Sequence, residues 1–206
     1  MREVTLEDIA EMAENARDDL WDTAREYGHD NPKIYLHWTA GGYDTTFDDY
    51  HLNITGDGTI YASTDSLTEC IAHTWKRNSG GVGVALCCCV GGTTDDLGDC
   101  PPTAVQIEKM AQVIAILCKH LWLTPNTDCV LTHGEAADNL DDDESGYGAD
   151  DCYGPLNGCE RWDLQFLGTD ESPEYTTDYD DPATGGNVLR GKAAWYMNEW
   201  EKEGRC

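Results

Sequence analysis

The chain has 206 residues, and its 40 Asp and Glu against 13 Lys and Arg give a formal net charge of −27 at pH 7. Nucleic acids and anionic lipids bind clustered cations, so this balance excludes both as expected partners. A hydrophobic content of 40%, with seven Trp and ten Tyr, predicts a globular domain with a substantial core rather than a disordered chain.

The predicted elements alternate between helix and strand. A capping-box pattern at Thr5 and Asp8 precedes apolar residues at helical spacing, which predicts a helix over residues 5–27 as the first element. Several short apolar runs bounded by Gly, Pro or Asn are typical of strands. These runs are residues 33–38, the hairpin 50–54 and 59–62, residues 81–89 and residues 129–132. A second capping-box pattern, at Thr103 and Gln106, predicts another helix.

The last third of the chain is more polar. Residues 138–160 are rich in acids and glycines, so we expect a surface insertion in which the run Asp141-Asp142-Asp143 is solvated. Residues 1–170 are then one domain that includes the first helix, and residues 171–206 are a polar linker and a C-terminal helical segment that packs on it. Strands interleaved with helices predict an α/β fold, in which helices cover a mixed sheet.

Ten cysteines are present, and none of them forms the C-x-x-C spacing of a zinc knuckle. Free cysteine usually behaves as a small buried hydrophobe, so we expect most of these thiols to be reduced and buried. A disulfide between Cys152 and Cys159 is the alternative for that pair.

Two of the six histidines are candidate metal ligands. His37 and His133 each end a predicted strand, where loops open a pocket above a rigid sheet edge. An open zinc site takes three ligands from His, Asp, Glu or Cys together with a water molecule. These two histidines and one downstream carboxylate meet that requirement, and hydrogen-bonded structural histidines are the alternative.

Five sequence blocks around these histidines follow one another in a recognisable order. They are residues 36–42 (LHWTAGG), 50–61 (YHLNITGDGTIY), 72–78 (AHTWKRN), 82–86 (VGVAL) and 131–136 (LTHGEA). Together they closely resemble the zinc-dependent N-acetylmuramoyl-L-alanine amidases of the type 2 family, which includes phage lysozyme-amidases and peptidoglycan recognition proteins. The resemblance spans roughly residues 33–167.

The resemblance implies a central mixed β-sheet flanked by helices, with a groove that holds one zinc ion. By position, His37 matches the first zinc ligand and His133 the second. Asp163 matches the third, because Arg161 precedes it at the spacing of the family's basic residue. Residues 1–170 would accordingly be the amidase domain.

The third ligand departs from the family pattern in two ways. The interval from His133 to Asp163 is longer than usual, and the family's Pro-Gly after the ligand is absent. Cys159 and Cys152 are therefore alternatives to Asp163, since a thiolate is a good zinc ligand.

The resemblance also implies two catalytic residues. Tyr50 matches the tyrosine near the metal in the phage and recognition-protein branches, where its phenol would orient water or donate a hydrogen bond to the tetrahedral intermediate. Arg161 is permanently cationic and would stabilise the developing oxyanion. Ala85 stands where the muropeptide-recycling branch has a catalytic Glu, which favours the tyrosine-using branch.

Three residues of one block, His73, Trp75 and Asn78, match a family segment near the groove and are the candidate substrate-binding residues. Their alternative role is to hold that loop by hydrogen bonds and packing. Glu135, two residues after His133, is either a hydrogen-bond partner behind the ligand or a charge at a strand end.

The predicted function is zinc-dependent hydrolysis of the amide bond between N-acetylmuramic acid and L-alanine in peptidoglycan. The first residues lack the basic and apolar regions of a secretory signal, so we expect synthesis in the cytoplasm and action on the cell wall after release or export. A phage or prophage endolysin and a bacterial autolysin both fit. The expected partner is peptidoglycan or a muropeptide. A non-catalytic peptidoglycan-binding module and a zinc hydrolase for another amide are the alternatives.

Overall fold

The computed structural model describes residues 1–141, 153–158 and 160–204. The helices and strands follow one another in the order β1 (Arg2–Val4), α1 (Leu6–Glu26), β2 (Lys33–Trp38), β3 (Leu52–Ile54), β4 (Ile60–Ala62), β5 (Gly81–Leu86), α2 (Ala104–Leu121), β6 (Val130–Thr132), α3 (His133–Ala137) and α4 (Gly185–Lys202). A 3₁₀ turn at Pro155–Asn157 lies between α3 and α4.

Within these ranges, the strands form a six-stranded mixed sheet in the order β1-β4-β3-β5-β2-β6. Strand β2 pairs in parallel with both β5 and β6, and β3 is parallel to β5 but antiparallel to β4. Every residue of β2 and β5 is buried, which explains why their sequences are nearly continuous apolar runs. The predicted α/β class, a mixed sheet with flanking helices, is confirmed.

Helix α2 packs between α1 and α4. Both predicted capping boxes are present: Thr5 and Asp8 cap α1, and Thr103 and Gln106 cap α2. In each box the threonine hydroxyl accepts a hydrogen bond from the backbone N–H of the Asp or Gln three residues later. The side chain of that residue accepts a hydrogen bond from the backbone N–H of the threonine. Among the described helices, none is both long and apolar enough to span a bilayer.

The structure differs from the prediction at two strands. The chain begins with strand β1, which pairs antiparallel with β4, so the prediction that α1 is the first element was wrong. Strand β1 has only three residues, and an alternation of apolar and polar residues cannot be recognised over so short a segment. The predicted strand 81–89 ends earlier, at Leu86, and Cys89 has a φ of 65° in the left-handed region, where no strand continues.

The predicted solvated acidic run was wrong at Asp141, which is buried. Its carboxylate accepts hydrogen bonds from Nε of Arg77 at 2.8 Å, from Nη2 of Arg77 at 3.1 Å and from the hydroxyl of Tyr35 at 3.1 Å. Arg77 is itself fully buried, and a buried guanidinium requires a charged partner. Asp142 and Asp143 lie outside the described residues.

The described cysteines are free thiols and most of them are buried, as expected. The buried ones are Cys87, Cys88, Cys89, Cys118 and Cys129, while Cys100 is half-buried and Cys70 is exposed. Cys152 and Cys159, and with them the alternative disulfide, lie outside the described residues.

Candidate metal centre

Parallel strand pairing brings the two candidate histidines together. In the register of β2 and β6, Leu36 lies opposite Thr132, so the residues that follow, His37 and His133, emerge at the same edge of the sheet. The two imidazole rings lie 4.7 Å apart between centroids and are almost perpendicular, at 76°. The carboxyl ends of these strands therefore form the floor of the site.

Asp163 completes a group of three. One carboxylate oxygen, Oδ2, lies 3.5 Å from Nδ1 of His37 and 3.5 Å from Nδ1 of His133. The three candidate ligand atoms lie within 4.8 Å of one another, and all three residues are buried. In a tetrahedral zinc site with bonds of about 2.0–2.2 Å, neighbouring ligand atoms are about 3.4 Å apart. The residues present therefore fit a zinc ion.

The protonation states of His37 and Asp163 also suit a cation. In the described part of the chain, Nδ1 of His37 is buried and has no hydrogen-bond partner. Burial lowers the pKa of His37 to about 4, against the attraction of the Asp163 carboxylate, so the imidazole is neutral at pH 7. Burial opposes ionisation of Asp163, but His133 and His37 outweigh it and the pKa of Asp163 is below its usual value. Two histidines and one carboxylate are a common zinc donor set.

The backbone makes a turn at Asp163 and Leu164. Leu164 has a φ of 59°, which is unusual for a bulky residue. Helix α4 packs directly on this turn, because the N–H of Gly185 donates to the carbonyl of Gln165 at 3.0 Å. Helix α4 thus supports the turn that places the third member of the group.

Behind His133 lies a buried ion pair that the sequence did not reveal. Arg190 of α4 donates two hydrogen bonds of 2.7 Å to the carboxylate of Glu135 and a third, of 2.9 Å, to the carbonyl of Val130. Glu135 also accepts from the N–H of Thr132 at 2.8 Å in a capping box that begins α3 directly after β6. Glu135 is therefore not an exposed strand-end charge.

The predicted substrate loop lies beside the metal group, and its residues have different environments. His73 is largely buried, and its Nδ1 lies 3.2 Å from Nε2 of His37. Asn78 holds the loop: its side-chain oxygen accepts from the N–H of His73 at 3.0 Å and from that of Thr74 at 2.9 Å. Trp75 is 60% exposed and available to a ligand.

Two cavities of about 540 and 360 Å³ lie over the group and form a groove. The larger one is lined by the predicted substrate residues His73, Trp75 and Asn78, together with His133 and Arg161. The smaller one is lined by Tyr50 and Asp163 and also by His133 and Arg161. The groove thus brings the predicted catalytic and substrate residues to one surface above His37.

Tyr50 and Arg161 differ in how firmly they are held. The ring of Tyr50 lies 4.9 Å from that of His37, and its hydroxyl is 3.4 Å from the carbonyl of Trp38. Burial, reinforced by the charge of Asp163, raises the pKa of Tyr50 above its usual value, so the phenol stays protonated and acts as a donor. Arg161 is exposed and donates to the neighbouring carbonyl at 2.9 Å. The alternative ligands Cys152 and Cys159 are outside the described ranges.

Comparisons with known proteins identify the family of this chain. Among solved structures, the chain is similar to an endolysin N-acetylmuramoyl-L-alanine amidase, LysCS, from Clostridium intestinale, with 20% sequence identity and a TM-score of 0.38 over 52% of this chain and 71% of that chain. No curated protein matches the sequence. The family model described as N-acetylmuramoyl-L-alanine amidase matches residues 12–152, a range that contains both histidines and ends before Asp163. Because this match covers more than half of the chain, the protein belongs to the N-acetylmuramoyl-L-alanine amidase family of enzymes.

Proposed function

We propose that this chain cleaves the amide bond between N-acetylmuramic acid and L-alanine in peptidoglycan, with one zinc ion held by His37, His133 and Asp163. The observation that carries the proposal is the pair of 3.5 Å separations between one Asp163 oxygen and Nδ1 of each histidine, at the floor of an open groove. Membership of the amidase family supports the choice of substrate.

An amide is a weak electrophile, so the reaction needs help at its carbonyl. Zinc, when bound, supplies Lewis acidity that polarises the carbonyl and makes a water molecule more acidic. The first role of the chain itself is to position the substrate. The groove binds the muropeptide above the buried ligands, and Trp75 is exposed at the wall of the groove. Since Asp163 is the only carboxylate among the three proposed ligands, a bound divalent cation would keep a net positive charge, which favours attack at the carbonyl.

Tyr50 and Arg161 act on the charge that develops on the substrate. Because its pKa is raised, the phenol of Tyr50 stays protonated and does not act as a base, and it orients water or donates a hydrogen bond to the tetrahedral intermediate. Arg161 lines both parts of the groove and brings a permanent positive charge near the forming oxyanion.

The decisive experiment measures zinc content and amine release together. The wild-type protein should bind one zinc per chain and release new L-alanine amines from purified peptidoglycan. Asp163→Asn should lose both, because it keeps the shape of the side chain but removes the anionic ligand. Asp180→Asn changes the charge by the same amount on an exposed loop and is the matched control.

Three results would contradict the proposal. Zinc binding that is equal in Asp163→Asn and wild type would remove Asp163 from the site. Wall binding by the zinc-loaded wild type without amine release would favour the non-catalytic module. Activity on small acyl peptides that spares glycan-linked stems would instead favour a hydrolase of another amide.

An endolysin or autolysin is the role that fits the proposed activity, and release of the protein beside intact walls should then lyse them.

A further inference from the structure

A pocket of about 420 Å³, separate from the groove, lies between the C-terminal half of helix α1 and the residue that caps the C-terminus of helix α2. Its lining residues are Asp18, Trp21, Asp22, Arg25 and Trp122. We propose that this pocket, termed here the tryptophan pocket, binds a glycan chain of N-acetylhexosamines separately from the groove. The choice of this glycan rests on the proposed function, since such a chain is the backbone of the proposed substrate.

The tryptophan pocket lies at the opposite edge of the sheet from the groove. Helix α1 ends at Glu26, shortly before β2 begins at Lys33, so its last turns lie near the amino ends of the parallel strands. Gly80, just before β5, packs against Ala24 of α1, and a Cβ there would approach that residue's backbone at 3.3 Å. Because β2 has six residues, about 20 Å of strand separates this edge from the carboxyl ends that form the groove.

Trp122 is an exposed indole held in a fixed position. It is 69% exposed and caps α2 with φ 60° and ψ 44°, a left-handed conformation that Gly or Asn usually occupies. The guanidinium of Arg17 lies 3.9 Å from the ring centroid and donates to the carbonyl of His120 at 3.2 Å. Arg17 is not part of the pocket lining, so the indole is braced from outside the pocket. A rigid aromatic surface costs little entropy when a ligand packs on it.

Trp21, the second indole of the pocket, is held by a hydrogen bond and has charged neighbours. The ring N–H of Trp21 donates to the carbonyl of Leu121 at 2.8 Å, which ties α1 to the end of α2. Arg25 lies over this ring at 5.3 Å and pairs with Asp22 at 3.1 Å. The pocket therefore combines two aromatic surfaces with exposed carboxylates and a guanidinium.

This combination matches the chemistry of a saccharide. Sugar rings present flat C–H faces that pack on indoles and a rim of hydroxyls that donate to carboxylates such as Asp18 and Asp22. The acetamido carbonyl of a hexosamine accepts from a donor such as Arg25. A polyanion such as a phosphate polymer is disfavoured, because two carboxylates line the pocket and the chain has a net charge of −27. The volume lies within the usual range for small-ligand sites.

Binding of the glycan in the tryptophan pocket would hold the polymeric substrate while an amide bond elsewhere on the same polymer is cleaved in the groove. Binding at two places makes the second event effectively intramolecular and raises the local concentration of cleavable bonds. The tryptophan pocket should therefore affect action on intact walls and have no effect on small soluble muropeptides.

The test is calorimetric titration of the full chain with penta-N-acetylchitopentaose, which carries no peptide stem. Trp122→Gly removes the indole and suits the left-handed backbone, so it should fold normally and bind about tenfold more weakly or worse. Trp195→Ala is the matched control, because Trp195 is 57% exposed and stacks only on Tyr196 among the described aromatic contacts. Asp22→Asn should weaken binding several-fold through the hydroxyl contacts.

The proposal is overturned if wild type does not bind the pentasaccharide, or if Trp122→Gly binds as tightly as Trp195→Ala. Amine release from a soluble muropeptide should be the same in Trp122→Gly and wild type, whereas release from intact walls should fall several-fold in the variant. Trp122-dependent binding in a protein with no amidase activity would support the glycan site and contradict the proposed function, so the two failures are distinguishable.

Discussion

Nε2 of His37 lies 3.2 Å from Nδ1 of His73, and both rings are buried beside the candidate metal group. Nδ1 of His37 faces Asp163, so a metal held there leaves the proton on Nε2, which then donates to His73. Thr74 adds a second contact to the same nitrogen of His73, at 2.9 Å. The pair fixes both the tautomer and the ring orientation of His37. His73 is thus a partner of the proposed ligand as well as part of the groove.

We expect His73→Ala to lower zinc affinity about 10- to 100-fold, because a ligand histidine loses the group that orients it. His73→Asn should recover part of the affinity, since its side-chain oxygen offers an acceptor near the position of Nδ1. Zinc affinity is measured by competition with a chelator of known strength. His120→Ala, which removes a half-buried histidine paired with Glu14, is the control and should bind zinc as the wild type does. Equal zinc affinity in His73→Ala and wild type would show that the contact has no orienting role.

Tyr50→Phe and Arg161→Ala should separate catalysis from metal binding. Each should lower the rate of amine release about 100-fold, since each removes a donor or charge that acts on the transition state. Zinc stoichiometry should stay at one per chain, because neither residue is a proposed ligand. Zinc content and amine release are measured on the same preparations, and unchanged rates would remove the two residues from the mechanism.

The two histidines of the site were predicted from local patterns, and the remaining residues from the family resemblance. Short apolar runs place His37 and His133 at strand ends, and parallel pairing of β2 with β6 then brings them together. Asp163 was predicted only through the family resemblance, from Arg161 two residues before it and in spite of the long interval after His133.

The contacts behind the site depend on long-range packing and were not predictable. Arg190 lies on a helix of mixed polarity, and nothing local indicates that it pairs with Glu135, 55 residues earlier. The same is true of Asp141, whose partner Arg77 lies 64 residues away. A charged residue in a polar segment is usually exposed, so only the tertiary structure identifies the exceptions.

The Arg190–Glu135 pair provides a stability prediction. Glu135→Gln should lower the free energy of unfolding by about 3 kcal/mol, because it leaves the buried guanidinium without a counter-charge. The double variant Glu135→Gln/Arg190→Met removes both charges and should be more stable than the single variant. Urea denaturation of the zinc-free protein measures both effects. A double variant that is less stable than the single one would indicate that the remaining hydrogen bonds of Arg190 matter more than its charge.

The net charge predicts how activity on anionic walls depends on salt. At about 10 mM salt, charges interact over about 30 Å, and at about 150 mM over about 8 Å. A chain with a net charge of −27 should therefore act faster on anionic walls as salt rises through this range. Turbidity of wall suspensions measures the effect, and a soluble neutral muropeptide, whose hydrolysis should change little, is the control. A rate that falls with salt on walls would indicate an attractive contact that outweighs the repulsion.

The close packing of α4 on the turn after Asp163 gives the last prediction. A Cβ at Gly185 would collide with the carbonyl of Leu164, so Gly185→Ala must displace the backbone next to Asp163. We expect it to lower the free energy of unfolding by about 1–3 kcal/mol and to weaken zinc binding. Gly191 lies on the same helix, and a Cβ added there would meet no atom within 4 Å, so Gly191→Ala should instead stabilise the protein by up to about 1 kcal/mol. Thermal denaturation and zinc titration of both variants distinguish displacement of Asp163 from a general effect of alanine in α4, because only Gly185→Ala should change zinc affinity.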